Sequence, residues 1–202
     1  MTADRRAIVR GLSWIAAPLL LVAVLRPWTV RPLQDEKPAV FDAAAFASSA
    51  WPRLLRESTS TAVEVSAIAT GASPAAPRLV KGTGVVSSID RTSRVGVMLV
   101  RVAGAAPATV AIQIGPVIRG TALRDASGFI HFSDFTNQSD YAAASNALND
   151  TALRTVIAPL AVDTLPGRTV EFTGAVAKSA PRADGAIEVV PLRLDVAEAG
   201  AK

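Results

Sequence analysis

The sequence predicts a mainly β protein with helices, and three observations carry that expectation. From about residue 80 onward, short apolar runs with a period of two recur between turn residues: Val110, Ile112 and Ile114 fall on one face, and Val170, Phe172 and Gly174 on another. One long stretch, SDYAAASNALNDTALRTVIAPL, interrupts them with helical spacing. The resulting order of three strands, a helix and two strands is that of an OB-like small barrel, partly open.

Composition narrows the class further. The 202 residues suit one domain plus attachments. At 50% hydrophobic and 19% charged, the chain is too apolar for a mainly disordered polymer. It has no Cys and one His, which excludes disulfide staples, thiolate chemistry and multi-His metal centres. No metal site and no cofactor is expected. The net charge of +4 is concentrated at the start, where Arg5, Arg6, Arg10, Arg26 and Arg31 face Asp4 alone, and the later charges cancel. Nucleic-acid binders carry their positive excess on the binding domain itself, so no nucleic-acid partner is expected.

Residues 1–31 predict a signal anchor or transmembrane helix. GLSWIAAPLLLVAVL, fifteen uncharged residues, runs between Arg10 and Arg26, with Trp14 and Trp28 near its ends. Fifteen residues give roughly 22 Å of helix, short of the ~30 Å hydrocarbon core. Ile8, Val9, Pro27, Trp28 and Val30 extend the membrane contact to residues 8–30, with flanking arginines reaching the interfaces. Leu21-Val22-Ala23 is a poor cleavage site, which favours an uncleaved anchor over a cleaved signal. The arginine cluster on the N-terminal flank places the rest outside the cytoplasm. The expected location is the bacterial inner membrane, single-pass, with the C-terminal domain in the periplasm.

Residues 32–78 read as a linker and helical segment. RPLQDEKP is polar and bounded by Pro32 and Pro38; Asp42 is a fair N-cap for Ala43–Ala50. Pro52 is expected to break that helix and open a second, with Leu55, Thr59, Ala62, Ser66 and Ala69 at helical spacing. GASPAAP then stops it. The plain reading is a stalk that spaces the barrel from the bilayer; a partner-binding helix is the sharper one.

Residues 79–197 carry the barrel. Lys81-Gly82-Thr83-Gly84 leads into VVSSID, followed by GVMLVRV, ATVAIQI, GFIHF as an extra strand, RTVEFTGAV and IEVVPLRLDV. Ser139 can cap the long helix, whose Tyr141, Ala144, Leu148, Ala152 and Val156 form one face, and Pro159 should end it.

Catalytic patterns are scarce. His131 lies among apolar neighbours and reads as a surface or satisfied strand residue. Gly82-Thr83-Gly84 lacks the rest of a phosphate loop, and neither G-x-S-x-G nor H-E-x-x-H occurs. Asp125 and Asp134, nine residues apart, read as turn and capping groups rather than paired catalytic carboxylates. The densest polar cluster is QIGPVIRGTALRDASGF, where Arg119, Thr121, Arg124 and Asp125 crowd together. Arginines beside a carboxylate and a hydroxyl can grip a polar ligand through forked hydrogen bonds, or they can brace the barrel mouth internally.

That cluster, with its continuation GPVIRGTALRDASGFIHFSDFTNQSDYAAASNALN, resembles the core motif of a family of predicted periplasmic lipoproteins of unknown function. FDAAAFASSAW, KGTG and GRTVEFTGAV extend the likeness across roughly residues 38–195. The matching positions are Gln113, Gly115, Pro116, Arg119, Gly120, Thr121, Arg124, Asp125, Phe132, Asp134, Phe135, Asn137, Gln138 and Asn146. From these the ligand- or partner-binding candidates are Gln113, Arg119, Thr121, Arg124, Asp125, Asn137 and Gln138. The resemblance implies an accessory role beside sugar ABC transporters, whose components are the expected partners. It also implies a lipid anchor, yet this sequence has no Cys to carry one, and the arginine-flanked segment would replace it.

Two function classes follow. The first is a non-enzymatic accessory or ligand-binding module. The second is a glycan-active enzyme using residues 113–138, disfavoured by the missing nucleophile and acid–base pair. Oligonucleotide binding on the OB-type face ranks last, because aromatics are only 5% of the chain.

Overall fold

In the computed structural model, which describes residues 40–68, 76–102, 109–178 and 182–197, the first element is helix α1, Ala43–Thr61. Asp42 caps it as expected, its Oδ1 accepting from the Ala45 N–H at 2.9 Å. Pro52 does not divide it. The ring lies on the exposed side, as does Ser48, whose carbonyl loses its helical donor there and meets water instead. Meanwhile Ala47, Ala50, Trp51, Leu54 and Ser58 form one buried stripe through the proline. Packing of that stripe overrides the local break. The helix also stops short of the expected Ser66: strand β1, Val63–Glu64, and a 3-10 turn, Val65–Ala67, take its place, and Ala69 lies outside the described residues.

Strand β2, Arg78–Asp90, begins before the expected VVSSID and includes the KGTG residues. Strands β3, Val97–Val102, and β4, Thr109–Gln113, follow. After the helices come β5, Thr169–Val176, and β6, Ile187–Val196. The thirteen residues of β2 serve two neighbours. Its first part pairs antiparallel with β5, from Arg78 opposite Val176 to Val85 opposite Thr169. Its second part pairs with β3, from Gly84 opposite Val102 to Asp90 opposite Val97. With β3–β4 antiparallel, β4–β6 parallel and β5–β6 antiparallel, the five strands close on themselves in the OB order. β1 adds a two-residue parallel rung beside Val80 and Lys81. The bend in β2 needs a slip in register around Ser87 and a residue without a side chain where β3 crosses. A Cβ on Gly84 would collide with the Arg101 carbonyl oxygen and sit 2.7 Å from Val100 Cγ1.

The connection from β4 to β5 holds the short helix α2, Ala122–Asp125, and the long helix α3, Gln138–Ala152, which runs on through a π turn at Leu153–Ile157. The expected face of α3 is buried at Ala144, Leu148, Ala152 and Val156. Its cap is Asn137 rather than Ser139; the Asn137 Oδ1 accepts from the Asp140 N–H at 2.9 Å. GFIHF is not a strand. Gly128 has φ +73°, a backbone bend, and Phe132–Asp134 is a 3-10 turn. Its Ile130 is buried because the bend turns it into the core, not because of strand alternation.

One hydrophobic core runs from α1 through the barrel to α3: Trp51, Leu54 and Val65 share it with Val80, Met98, Ile112, Leu148 and Phe172. The helix expected to act as a stalk therefore belongs to the same compact unit, which begins at Phe41 rather than at residue 79. β4 is buried on both faces, since Ala186 covers Ala111 and Val97 on the outside. Asp184 holds that cover: its Oδ1 accepts from the Ala186 N–H at 3.0 Å, and this bond lowers its pKa. No helix among the described residues is long and apolar enough to cross a membrane, and the segment 1–31 lies outside them.

Leu54 is fully buried, so Leu54→Ala should cost about 2–5 kcal/mol in a urea titration of the intact chain. A loss under ~0.5 kcal/mol, as for an exposed spacer position, would separate α1 from the barrel core.

Candidate functional site

The residues grouped by the sequence divide into two sets with different duties. Gln113, the last residue of β4, is buried and spends its amide on holding the next loop. Its Oε1 accepts from the Arg119 N–H at 2.7 Å, and its Nε2 donates to the Arg119 carbonyl at 3.3 Å and to Glu188 Oε1 at 2.8 Å. Both backbone groups of Arg119 are thereby fixed. Its side chain is exposed and lines a recess of about 270 Å³ with Gln113, Gly120, Ala122, Ala177, Glu188 and Val190. Among the described residues the Arg119 guanidinium makes no ion pair or hydrogen bond. A cation on a clamped backbone, lining the same recess as the Glu188 carboxylate and the Gln113 amide, is the part of the cluster left unpaired among the described residues.

Thr121, Arg124 and Asp125 turn on one another instead. The Arg124 side chain is 9% exposed; its Nε and Nη2 reach Asp125 Oδ1 at 2.8 and 2.7 Å, and its Nη1 donates to the Tyr141 carbonyl at 3.0 Å. Its guanidinium carbon also lies 3.5 Å from the centre of the Tyr141 ring. Thr121 donates to the other Asp125 oxygen at 2.5 Å. The carboxylate is thus engaged at both oxygens, and the arginine pins α2 onto the first turn of α3. Below them, Ser145 Oγ and Asn149 Nδ2 both donate to the Gly120 carbonyl, at 3.2 and 2.8 Å.

Of the remaining motif positions, Asn137, Asp134 and Phe135 hold local structure. Asn137 caps α3, and Gln138 is exposed in its first turn. Asp134 Oδ2 accepts from the His131 N–H at 3.0 Å, and His131 is exposed. Phe135 contacts Phe41, Phe46 and Tyr141 with ring centres 5.2–5.4 Å apart, forming an aromatic seam between the starts of α1 and α3.

Sequence reasoning missed Glu188, and it missed a larger groove on another side of the barrel. That groove, about 680 Å³, runs beside Leu192–Asp195 of β6 between α1 and the π turn, with Lys81 and Thr173 at its margin. Lys81, Thr173 and Arg193 stand in one cross-strand row on the outer face. Their outward alternation was a usable signal, but only once the register of three strands was known.

The two sets predict opposite mutant behaviour. Arg124→Ala should cost about 2 kcal/mol, from lost charge-assisted bonds and ring stacking. Arg119→Ala should stay within ~0.5 kcal/mol. Urea midpoints of the two variants check this, and equal losses would contradict the division.

Comparison with other proteins agrees with this architecture. In a search of solved structures, an OB-fold protein from Thermotoga maritima, solved at 1.90 Å, matches with a TM-score of 0.59 over 78% of this chain and 99% of its own, at 16% identity. That likeness concerns the fold. No curated protein matches the sequence. The profile of one family, described as predicted periplasmic lipoprotein (DUF2291), matches residues 69–195, covering β2 to β6 with the 113–138 motif. On that match over more than half its length, the chain belongs to this family of periplasmic lipoproteins of unknown function.

Proposed function

We propose that the chain is a non-enzymatic binding module, held at the inner membrane by residues 8–30 and facing the periplasm, that serves as an accessory to a sugar-uptake ABC system. The observation that carries the reading is Arg119: its backbone is clamped by Gln113, while its side chain, unpaired among the described residues, lines one recess with Glu188. The clamp sets where the charge is presented, and a guanidinium without a partner among the described residues gives up no existing bond when it engages a ligand. The guanidinium suits a carboxylate or a ring of hydroxyls, and Glu188 accepts from a hydroxyl on the far side. Sugars and sugar acids carry that combination.

The carboxylates an enzyme reading would need are in other service. Asp125 is engaged by Arg124 and Thr121, and Asp134 holds the turn at His131. On the outer face of β3 and β4, where OB barrels meet oligonucleotides, Val97, Ala111 and Gln113 are buried, and Leu99, Arg101 and Thr109 beside them include no stacking ring.

Thermal unfolding of the full-length chain with a panel of monosaccharides and sugar acids tests the binding reading. A ligand at a hundred times its Kd should stabilise by about 2.7 kcal/mol, and Arg119→Ala should abolish that gain while leaving the ligand-free Tm in place. Glycan turnover that depends on Asp125 would overturn the non-enzyme reading. The topology is checked separately: a C-terminal reporter that works only outside the cytoplasm should be active, and one active only inside would remove the uptake role.

A further inference from the structure

The phenyl rings of the chain are unevenly placed. Of its six phenylalanines and one tyrosine, Phe172 is in the barrel core, and Phe129 lies under Arg53, whose guanidinium carbon is 3.9 Å from the ring centre. The other four phenylalanines and Tyr141 meet ring to ring at the starts of α1 and α3. Phe41, Phe46 and Phe135 lie 5.3–5.7 Å from one another, Tyr141 is 5.2 Å from Phe135, and Phe132 is 5.4 Å from Tyr141. None of the five is fully buried, and Phe132 is the most exposed of them, at 54%.

Phe132 is held in that position by the turn that carries it. Asp134 Oδ2 accepts from the His131 N–H at 3.0 Å, and the Phe135 N–H donates to the Phe132 carbonyl at 3.1 Å. Tyr141, on which the Phe132 ring stands edge-on, is itself fixed by Arg124 stacked 3.5 Å from its centre. A lone exposed apolar side chain is ordinary, but one that continues a seam of four partly exposed rings makes a patch of the kind that meets a partner or a membrane. On the segments that carry the rings, 41–46 and 131–141, the acids are Asp42, Asp134 and Asp140 and the one base is His131. Neither segment offers a lysine or arginine to a phosphate, so what the patch contacts is met by the rings and not by charge.

We infer that this aromatic end rests on the surface of the bilayer, with Phe132 inserted among zwitterionic headgroups. The inference rests on the reading that residues 8–30 hold the chain in the membrane. Residues 31–40 then join that segment to Phe41, and a chain of that length spans at most about 40 Å. The ring seam begins at Phe41 itself, so the tether keeps it within reach of the bilayer. Aromatic rings suit the boundary between water and lipid, being apolar enough to leave water and flat enough to lie among headgroups. The Arg119 recess plays no part in this contact.

Because the chain has no Cys, one introduced thiol carries one label. Ser133→Cys, exposed beside Phe132, and Ser60→Cys, exposed at the far end of α1, are each coupled to a nitrobenzoxadiazole dye on the full-length chain in phosphatidylcholine vesicles. The dye at 133 should emit to the blue of the dye at 60 and be quenched by lipid bearing a nitroxide near its headgroup. Phe132→Ser should lower the ratio of membrane-contacting to free states roughly tenfold, the effect of re-exposing about half a ring, and Phe132→Trp should retain the contact. Replacing part of the lipid with anionic phosphatidylglycerol should weaken the quenching at low salt, since the three carboxylates are repelled; stronger quenching would overturn ring insertion. Alkaline carbonate extraction of the same vesicles reports on the membrane segment separately. A chain that resists extraction while its 133 dye stays in water overturns the inference and leaves the anchor standing. A chain that is extracted loses the anchor, and the inference with it. Equal responses from the two dyes sink the inference, and so does a blue shift that grows with the protein-to-lipid ratio, which would assign the seam to a second copy.

Discussion

One strand has to belong to two ladders at once. β2 gives its first half to β5 and its second half to β3, and the barrel exists only because it bends between them. The bend depends on the register slip at Ser87 and on Gly84, where the β3 backbone presses too close for any side chain. With that closure in place, Val80, Val86, Val100, Val110, Val170 and Leu192 face a common interior and lose their contact with water. Each such side chain contributes on the order of 1.5–3 kcal/mol through burial. The helices then seal an interior already shaped by the strands.

The connection between β4 and β5 shows how a polar cluster can be divided between holding and presenting. Two arginines five residues apart have opposite fates because of what lies seventeen residues beyond the second. Tyr141 offers Arg124 a ring face and a carbonyl, so that guanidinium is drawn inward and Asp125 follows it. Arg119 has no such neighbour; Gln113 takes hold of its backbone alone. The firm half of the loop keeps the free half in position. This separates the two readings of the family motif: Arg124, Asp125 and Asn137 are spent on the fold, and Arg119 keeps an exposed side chain without a partner among the described residues.

The strands were legible because alternation is a local signal, and β6 matches the run IEVVPLRLDV residue for residue. Pro191 in its middle did not mislead: it pairs with Gly174 beside a slip in register, past the end of the β4 pairing at Val189. The errors came where a local rule met a distant contact. Pro52 looked like a break, yet the stripe from Ala47 to Ser58 is held by packing that no window of sequence contains. GFIHF looked like a strand, but Gly128 bends it and Ile130 is buried by another route. The candidate site was half legible: the crowding of Arg119, Arg124 and Asp125 was visible, whereas the partner carboxylate Glu188 lies 75 residues from Gln113. The groove was not legible at all, because α1, β2, the π turn, β5 and β6 each contribute only a few residues to it.

The position of β6 in the chain has a consequence for the order in which the molecule becomes competent. Glu188, which lines the recess, and Leu192–Asp195, which line the groove, belong to the strand made after every other strand of the barrel. A chain that becomes available for folding in order from its N-terminal end passes through an interval with β4 and β5 still lacking their shared neighbour. During that interval it has neither recess nor groove, only exposed strand edges of the kind that chaperones recognise and aggregation exploits. Insertion of the last strand ends the vulnerable period and completes the recess and the groove in the same step.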